Sequence, residues 1–175
     1  IIGRAAYNAG RNRLASWHYT EVLERFPLDH HARLRLAWAS RRDGQHSTES
    51  TLYREILIDQ PGHPLALGGL SMASARLGRM DDAQSILDKL HVVAPNHPYT
   101  DLTSAVVEAL RGDEADAIRS LRRVMERRDR FDEELQVELR RDIATDPAFS
   151  GLRTQWRLRA MLRRHLGAVS PQGIR

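Results

Sequence analysis

Apolar side chains recur at helical spacing in segments of about 14 residues, and each segment is bounded by a glycine or a proline. In three of the four alternate segments an alanine is followed four residues later by a large leucine or tyrosine, as in Ala83 and Leu87. Residues three and four apart lie on one face of a helix, so this pattern predicts amphipathic helices. The predicted helices span about 12–26, 30–43, 47–60, 64–77, 81–93, 98–111 and 113–128. The chain is therefore predicted to be all-α.

The residues that bound these segments repeat at a fixed interval. Glycines and prolines each recur at steps of 34 residues, at Gly10, Gly44, Gly78 and Gly112 and at Pro27, Pro61 and Pro95. Glycine closes the first helix of each pair because it adopts a left-handed conformation without a clash. Proline then ends the second helix of the pair. We expect Ser47 and Asp81 to cap the helices that begin after two of these glycines. A period of 34 residues that contains two helices indicates a solenoid of helix pairs.

The positions inside this period resemble the tetratricopeptide repeat. The family's Ala-x3-Phe element is matched, in whole or in part, by Ala15, Glu49, Ala83 and Ala117 with Tyr19, Tyr53, Leu87 and Leu121. Glu49 departs from the alanine, and the fourth unit matches least well. The resemblance covers about residues 5–130 and implies a right-handed α-solenoid of antiparallel helix pairs, whose first helices line a concave groove. Within one first helix, the adjacent Gly68 and Gly69 are expected to allow a close helix contact rather than to form a hinge.

The resemblance implies a single solenoid over residues 1–167 with a tail at 168–175. The four repeats are expected at about 1–29, 30–63, 64–97 and 98–129. Capping helices are expected at 130–167, because apolar residues recur every fourth position at Phe131, Leu135, Leu139 and Ile143. The run from Asp146 to Gly167 resembles the segment that closes many bacterial arrays. Since the chain opens inside a repeat without an initiator methionine, we expect it to be a fragment or a processed chain.

Composition excludes several kinds of chemistry. The 175 residues contain no cysteine, which excludes disulfides, thiolate metal sites and cysteine nucleophiles. No metalloprotease, phosphate-loop or serine-hydrolase motif occurs, and no apolar run is long enough to cross a membrane. His63 and His97 each precede a proline at equivalent repeat positions, which favours turn residues over metal ligands. We therefore expect no enzyme, cofactor or metal; the compartment stays open, with the cytoplasm favoured over the periplasm.

The groove implied by the resemblance places residues one repeat apart in rungs along its length. The expected partner-binding residues are His31, Leu34, Trp38, Arg41, Arg42, Leu65, Met72, Arg76, Tyr99, Leu102 and Val106. They form an apolar strip edged by arginines, which suits an amphipathic helix or an apolar peptide with a few acidic residues. Packing between repeats is the alternative for Leu34 and Leu102, whereas Trp38 and Met72 favour a contact surface.

Taken together, these features predict a non-enzymatic scaffold that binds a peptide or helix of a partner protein in the groove. One alternative is binding to a polyanion, either nucleic acid or an anionic membrane, through the basic C-terminal helix. Residues 151–175 contain no acidic residue and six arginines, Arg153, Arg157, Arg159, Arg163, Arg164 and Arg175, with Trp156 as the nearby aromatic. Nucleic acid is disfavoured because this helix must also cap the array, and the net charge of +4 is modest. Self-association as a homo-oligomer, or an accessory role in a larger enzyme or regulator, is the other alternative.

Overall fold

The structure, a computed structural model, describes residues 2–155, 158 and 160. The α-helices given for these residues are α1 (Ile2–Asn8), α2 (Asn12–Arg25), α3 (His30–Arg42), α4 (His46–Asp59), α5 (Pro64–Arg76), α6 (Met80–Val93), α7 (Pro98–Arg111), α8 (Glu114–Glu126) and α9 (Glu133–Thr145). Short 3₁₀ turns follow at Arg128–Arg130, Pro147–Phe149 and Leu152–Thr154. The described part contains no strand, so the all-α prediction is confirmed, and the predicted helix ends are correct to within about two residues. None of these helices has both the length and the apolarity that a membrane span requires.

The helices belong to two compact units, Ile1–Pro95 and Asn96–Arg175. In the first unit each helix from α1 to α6 packs against the next one along the chain. Because the connections are short, consecutive helices run antiparallel. In the second unit α7 packs against α8, and the turn Pro147–Phe149 contacts both α7 and α9. The division falls close to the predicted boundary between the third and fourth repeats, and the predicted single solenoid over 1–167 stays a prediction.

The expected capping segment is described in part. Helix α9 and the Pro147–Phe149 turn lie within the segment, 130–167, where the sequence predicted capping helices. Phe131 precedes α9 in extended backbone and is buried, so it contributes to the core without being part of that helix. The final predicted helix, apart from Leu158 and Ala160, and the tail at 168–175 lie outside the described residues.

The four periodic glycines set the connection between the helices of each pair. All four have positive φ, between 71° and 92°. At Gly44 the glycine N–H donates to the Arg41 carbonyl at 3.0 Å, and the Gln45 N–H donates to the Ser40 carbonyl at 2.9 Å. This pair of bonds is the Schellman motif, and the same pattern recurs at the other three glycines. Each second helix therefore begins two residues after its glycine, which keeps the repeats in register.

The predicted helix caps at Ser47 and Asp81 are wrong. Helix α4 begins at His46 and α6 begins at Met80, each with the residue directly after the glycine at its N-cap position. The reason is that this residue already donates to the preceding helix through the Schellman motif, so the next helix starts without a further linker residue. Side-chain caps occur instead at the starts of first helices, where Asp29, His63 and His97 accept from backbone N–H groups. The two histidines are thus turn residues, as the sequence indicated.

Close approach between helices depends on small residues. Tyr53 on α4 is fully buried, and a Cβ placed on Gly69 of α5 would lie 2.1 Å from the Tyr53 Cζ atom. The contact that the sequence predicted at this glycine is therefore present. On the other side of α5, the Ser71 hydroxyl donates to the Ala83 carbonyl of α6 at 2.7 Å. Ten consecutive residues of α5, from Ala66 to Ala75, are buried as a result.

We expect Gly69→Ala to destabilise the chain by about 1–3 kcal/mol, although alanine has the higher helix propensity. The added methyl group would overlap the Tyr53 ring, which is enclosed and cannot move away freely. Urea denaturation followed by circular dichroism measures this change. Leucine occupies the position equivalent to Tyr53 in the third and fourth repeats, so Tyr53→Leu should recover part of the loss in the double variant. If Gly69→Ala lowered the free energy of unfolding equally in the parent chain and in the Tyr53→Leu variant, the contact between Gly69 and Tyr53 would be contradicted.

The His63 cap should make stability depend on pH. The His63 Nδ1 atom accepts from the Ala66 N–H at 3.3 Å, which requires that this nitrogen carry no proton. Burial lowers the pKa of the imidazole below its ordinary value of 6.5, and nearby His30 adds to the lowering. The unfolded chain therefore binds the proton more readily, so this contribution is complete above pH 6.5 and decreases as the pH falls.

We expect the free energy of unfolding to decrease as the pH falls below 6.5, and less steeply in His63→Asn. Asparagine is a good N-cap that does not titrate, so it keeps the helix start without the protonation cost. The other histidines are common to both proteins, and the difference between the two slopes isolates His63. Identical slopes would contradict this account of the cap.

Candidate binding face

The eleven expected partner-binding residues lie on three first helices. Five are on α3, three on α5 and three on α7. Helices α3 and α5 belong to the first unit and α7 to the second, so each set is described within its own unit. Seven of the eleven are buried, namely Leu34, Trp38, Arg41, Met72, Tyr99, Leu102 and Val106. Of the others, Arg42, Leu65 and Arg76 are half-buried and His31 is exposed.

The apolar side chains on α3 and α5 form the interior of the first unit. Trp38 is 3% exposed and Met72 is 1% exposed, so neither presents an accessible surface in this structure. The sequence favoured a contact surface at these two residues; both are buried in this structure, and their part in partner binding stays a prediction. Met72 is enclosed because α4 and α6 pack closely on α5, whereas Trp38 lies on α3, which packs against α2 and α4. Burial of Leu34 agrees with the packing alternative that the sequence left open.

Of the arginines at the predicted edge of the strip, Arg42 contacts an aromatic ring and Arg41 is buried. The Arg42 guanidinium carbon lies 4.1 Å from the centre of the Tyr7 ring, a cation–π contact between α3 and α1. Arg41 is buried despite its charge. On the same helix the Arg35 guanidinium lies 4.9 Å from the Trp38 ring centre, and the exposed His31 is adjacent to it. These cations already have partners within the protein, which weakens the attraction that they would exert on an acidic ligand.

The third edge residue, Arg76, faces a buried carboxylate. Its side chain is only 8% exposed, and its Nη1 atom lies 3.9 Å from Oε1 of the fully buried Glu49. The other oxygen of Glu49 lies 3.0 Å from Nδ1 of His46. The sequence identified Glu49 only as a departure from the family's alanine. In the structure Glu49 is a buried carboxylate beside His46 of its own helix and 3.9 Å from Arg76 on α5, so the charge of Arg76 lies near it.

A second buried charge joins α7 and α8 in the second unit. Asp101 accepts from Arg123 Nε at 2.7 Å and from Arg127 Nη1 at 2.9 Å. Ser120 lies beside this cluster and donates to Glu108 at 2.6 Å. Sequence reasoning missed the cluster, although Arg123 and Arg127, four residues apart at the end of α8 and directly after it, were a visible signal for a shared acidic partner.

Arg153 is the one arginine of the predicted basic C-terminal segment that falls within the described residues. It is half-buried and donates to the backbone carbonyl of Asp146. Arg157, Arg159, Arg163, Arg164 and Arg175, together with Trp156, lie outside the described residues. The described part of the chain contains no group of three or more histidines or carboxylates arranged to hold a metal ion.

Exposed apolar side chains occur elsewhere in the first unit. One set, the second-helix edge, lies at or just after the ends of second helices and consists of Phe26, Leu28, Ile58, Val92 and Val93. Ile58 and Val92 occupy equivalent positions in successive repeats, and glutamates fill that position in the first and fourth repeats. Gly62 after α4 lies against Val93 at the end of α6, which connects two parts of this edge. Alignment of the repeats on their glycines would have revealed the pattern. Leu14 and Trp17 on α2 are also exposed.

Comparison with known proteins identifies the fold. No protein-family model matches the chain, and no curated protein matches it either. Among solved structures, it is similar to TTC0263, a thermophilic TPR protein of Thermus thermophilus, with a TM-score of 0.75 and 21% identity, over 99% of this chain and 90% of that one. It is also similar to a tetratricopeptide repeat protein of Parabacteroides merdae, with a TM-score of 0.62 and 20% identity. That match covers 97% of this chain but only 63% of the other.

These identities are low, so the similarity establishes a shared fold rather than a shared partner or activity. It agrees with the 34-residue period, the glycine turns and the small residues at helix contacts. The resemblance inferred from the sequence is confirmed at the level of the fold. The chain has the tetratricopeptide-repeat fold, an all-α solenoid of helix pairs.

Proposed function

We propose that the chain is a non-enzymatic scaffold that holds a peptide or short helix of a partner protein against its first helices, in the groove that this fold forms. The observation that carries the proposal is the fold, which is shared over 99% of the chain with a solved tetratricopeptide-repeat structure. Such repeats present a long, preformed surface on rigid helices, and binding to it costs little ordering of the scaffold itself.

Within the first unit, the accessible residues of this face lie near the starts of α3 and α5. His31 is exposed, Leu65 is half-buried, and the two occupy equivalent positions one repeat apart. The buried Trp38 and Met72 lie further along the same helices and support this surface from within. A bound segment would therefore contact His31 and Leu65 directly, while Trp38 and Met72 would act through packing.

Arginines that already contact other groups of the protein determine which kind of ligand this face can bind. Arg76 faces Glu49 and Arg42 lies over Tyr7, so the cations at the edge of the face are partly neutralised or covered. We expect an apolar segment to bind mainly through burial of its side chains and to tolerate added salt. Polyanion binding would behave in the opposite way, because each released counterion makes the affinity fall as salt rises.

Accessible residues make better test positions than the buried ones. Trp38→Ala would cost about 3–5 kcal/mol of stability, so loss of binding in that variant would report unfolding. We expect peptides selected from a phage-displayed random library at high salt to bind the chain through an apolar anchor. In the double variant His31→Ala, Leu65→Ala the affinity of such a peptide should fall about tenfold, since loss of one apolar contact is worth roughly 1–2 kcal/mol.

The matched control is the double variant Ile58→Ser, Val92→Ser on the second-helix edge, which should bind the selected peptide as the parent chain does. Fluorescence anisotropy gives the dissociation constants, and circular dichroism verifies that each variant is folded. Loss of affinity only in the edge variant would move the binding surface to the second helices and overturn the groove. Binding that disappears with added salt would favour the polyanion alternative.

A further inference from the structure

A stripe on the outer face of α2 differs from its counterparts in the other repeats. The stripe consists of Arg13, Leu14, Trp17 and Glu21, which follow one another at helical spacing. Leu14 is 41% exposed and Trp17 is 56% exposed. A side chain as large as tryptophan contributes much of its burial energy only when it is covered. More than half of the Trp17 surface is therefore available to another molecule.

The equivalent positions elsewhere in the chain are polar. Thr48, Asp82 and Asp116 correspond to Leu14, and Thr51, Ser85 and Arg119 correspond to Trp17. The fold therefore does not require an apolar residue at either position. In the described structure Trp17 makes a ring contact with its neighbour His18, at 4.7 Å between centroids, and is not part of the core. The apolar pair is a property of the first repeat alone.

Opposite charges flank the apolar centre at equal distances. Arg13 precedes Trp17 by four residues and Glu21 follows it by four, which places each charge about 6 Å along the helix axis. Arg13 is exposed and Glu21 is half-exposed. Within residues 2–155 neither side chain has an ion pair or a hydrogen bond. A partner of uniform charge would oppose one of the two groups, whereas an antiparallel copy of the same stripe would match both.

We propose that the chain forms a two-fold symmetric homodimer in which the α2 stripes of two copies pack antiparallel. The Trp17 side chains meet at the symmetry axis, and Arg13 of each copy pairs with Glu21 of the other. Such an interface is isologous, because one self-complementary surface is used twice. The proposal is independent of the partner-binding groove, because it uses the outer face of a second helix and no residue of the first-helix face.

Charge reversal tests the proposed pairing directly. We expect sedimentation equilibrium to show a reversible monomer–dimer equilibrium. Arg13→Glu alone, or Glu21→Arg alone, places like charges together twice in each dimer and should weaken the dimer about tenfold. The double variant exchanges the two charges and should restore the affinity to within about threefold of the parent chain. Trp17→Ala should weaken the dimer at least as much as either reversal.

The third repeat provides the matched control. Asp81, Ser85 and Lys89 occupy the positions of Arg13, Trp17 and Glu21 on α6, with opposite charges but no apolar centre. Asp81→Lys should leave the dimer unchanged. A chain that stays monomeric at all concentrations, or a dimer that ignores the single reversals, would overturn the proposal. Failure of the double exchange to restore association would also overturn it. Circular dichroism verifies that each variant is folded. If Trp17→Ala loses helicity, the charge-reversal variants alone test the proposed dimer.

Discussion

The enclosure of a first helix between two second helices is the constraint on which the rest of the first unit depends. Helix α5 can be buried over ten consecutive residues only because its neighbours approach closely from both sides. The approach requires an absent side chain at Gly69, where the Tyr53 ring lies, and a short one at Ser71, which bonds to the backbone of α6. The glycine turns contribute by starting each second helix two residues after its glycine, so that helix begins at the same place in every repeat.

The same enclosure determines which charges remain available for binding. Burial removes water from ionic groups, so each buried carboxylate needs a partner within the protein. Glu49 lies near Arg76 and His46, and Asp101 binds Arg123 and Arg127. Arg76, which the sequence offers as a candidate ligand contact, in this way faces a buried carboxylate instead. In the described part of the first unit, exposed apolar side chains remain on and after second helices, among them Trp17 and Ile58.

Features that depend on local sequence could be predicted well. Helix ends follow from glycine and proline, and the close contact at Gly69 follows from the cost of glycine in a helix interior. The caps at Ser47 and Asp81 could not be located from side-chain preference, because the Schellman turn also fixes the next helix start. Burial of Trp38 and Met72 depends on how the neighbouring helices pack. The spacing of residues one repeat apart does not show which side of a helix those neighbours cover. Glu49 was visible as an exception, but its partner on α5 was not.

The exposed apolar residues illustrate a further limit. A stripe such as the one containing Trp17 has ordinary helical spacing, and only comparison between repeats shows that its positions are polar elsewhere. Repeated chains therefore contain their own reference. A residue that differs from its equivalents in the other repeats is not required by the fold and has a role at its own position only. Glu49 and Trp17 are the two examples with the clearest physical consequences.

Native-state hydrogen exchange of the backbone amides tests the enclosure of the first helices most directly. Amides open with free energies that follow local burial, so the middle of α5, from Ala66 to Ala75, should exchange most slowly in the first unit. Helix α2, where Ala15 is the buried residue, should exchange much faster. Equal protection of α2 and α5, or faster exchange in α5, would contradict the claim that enclosed first helices hold this unit together.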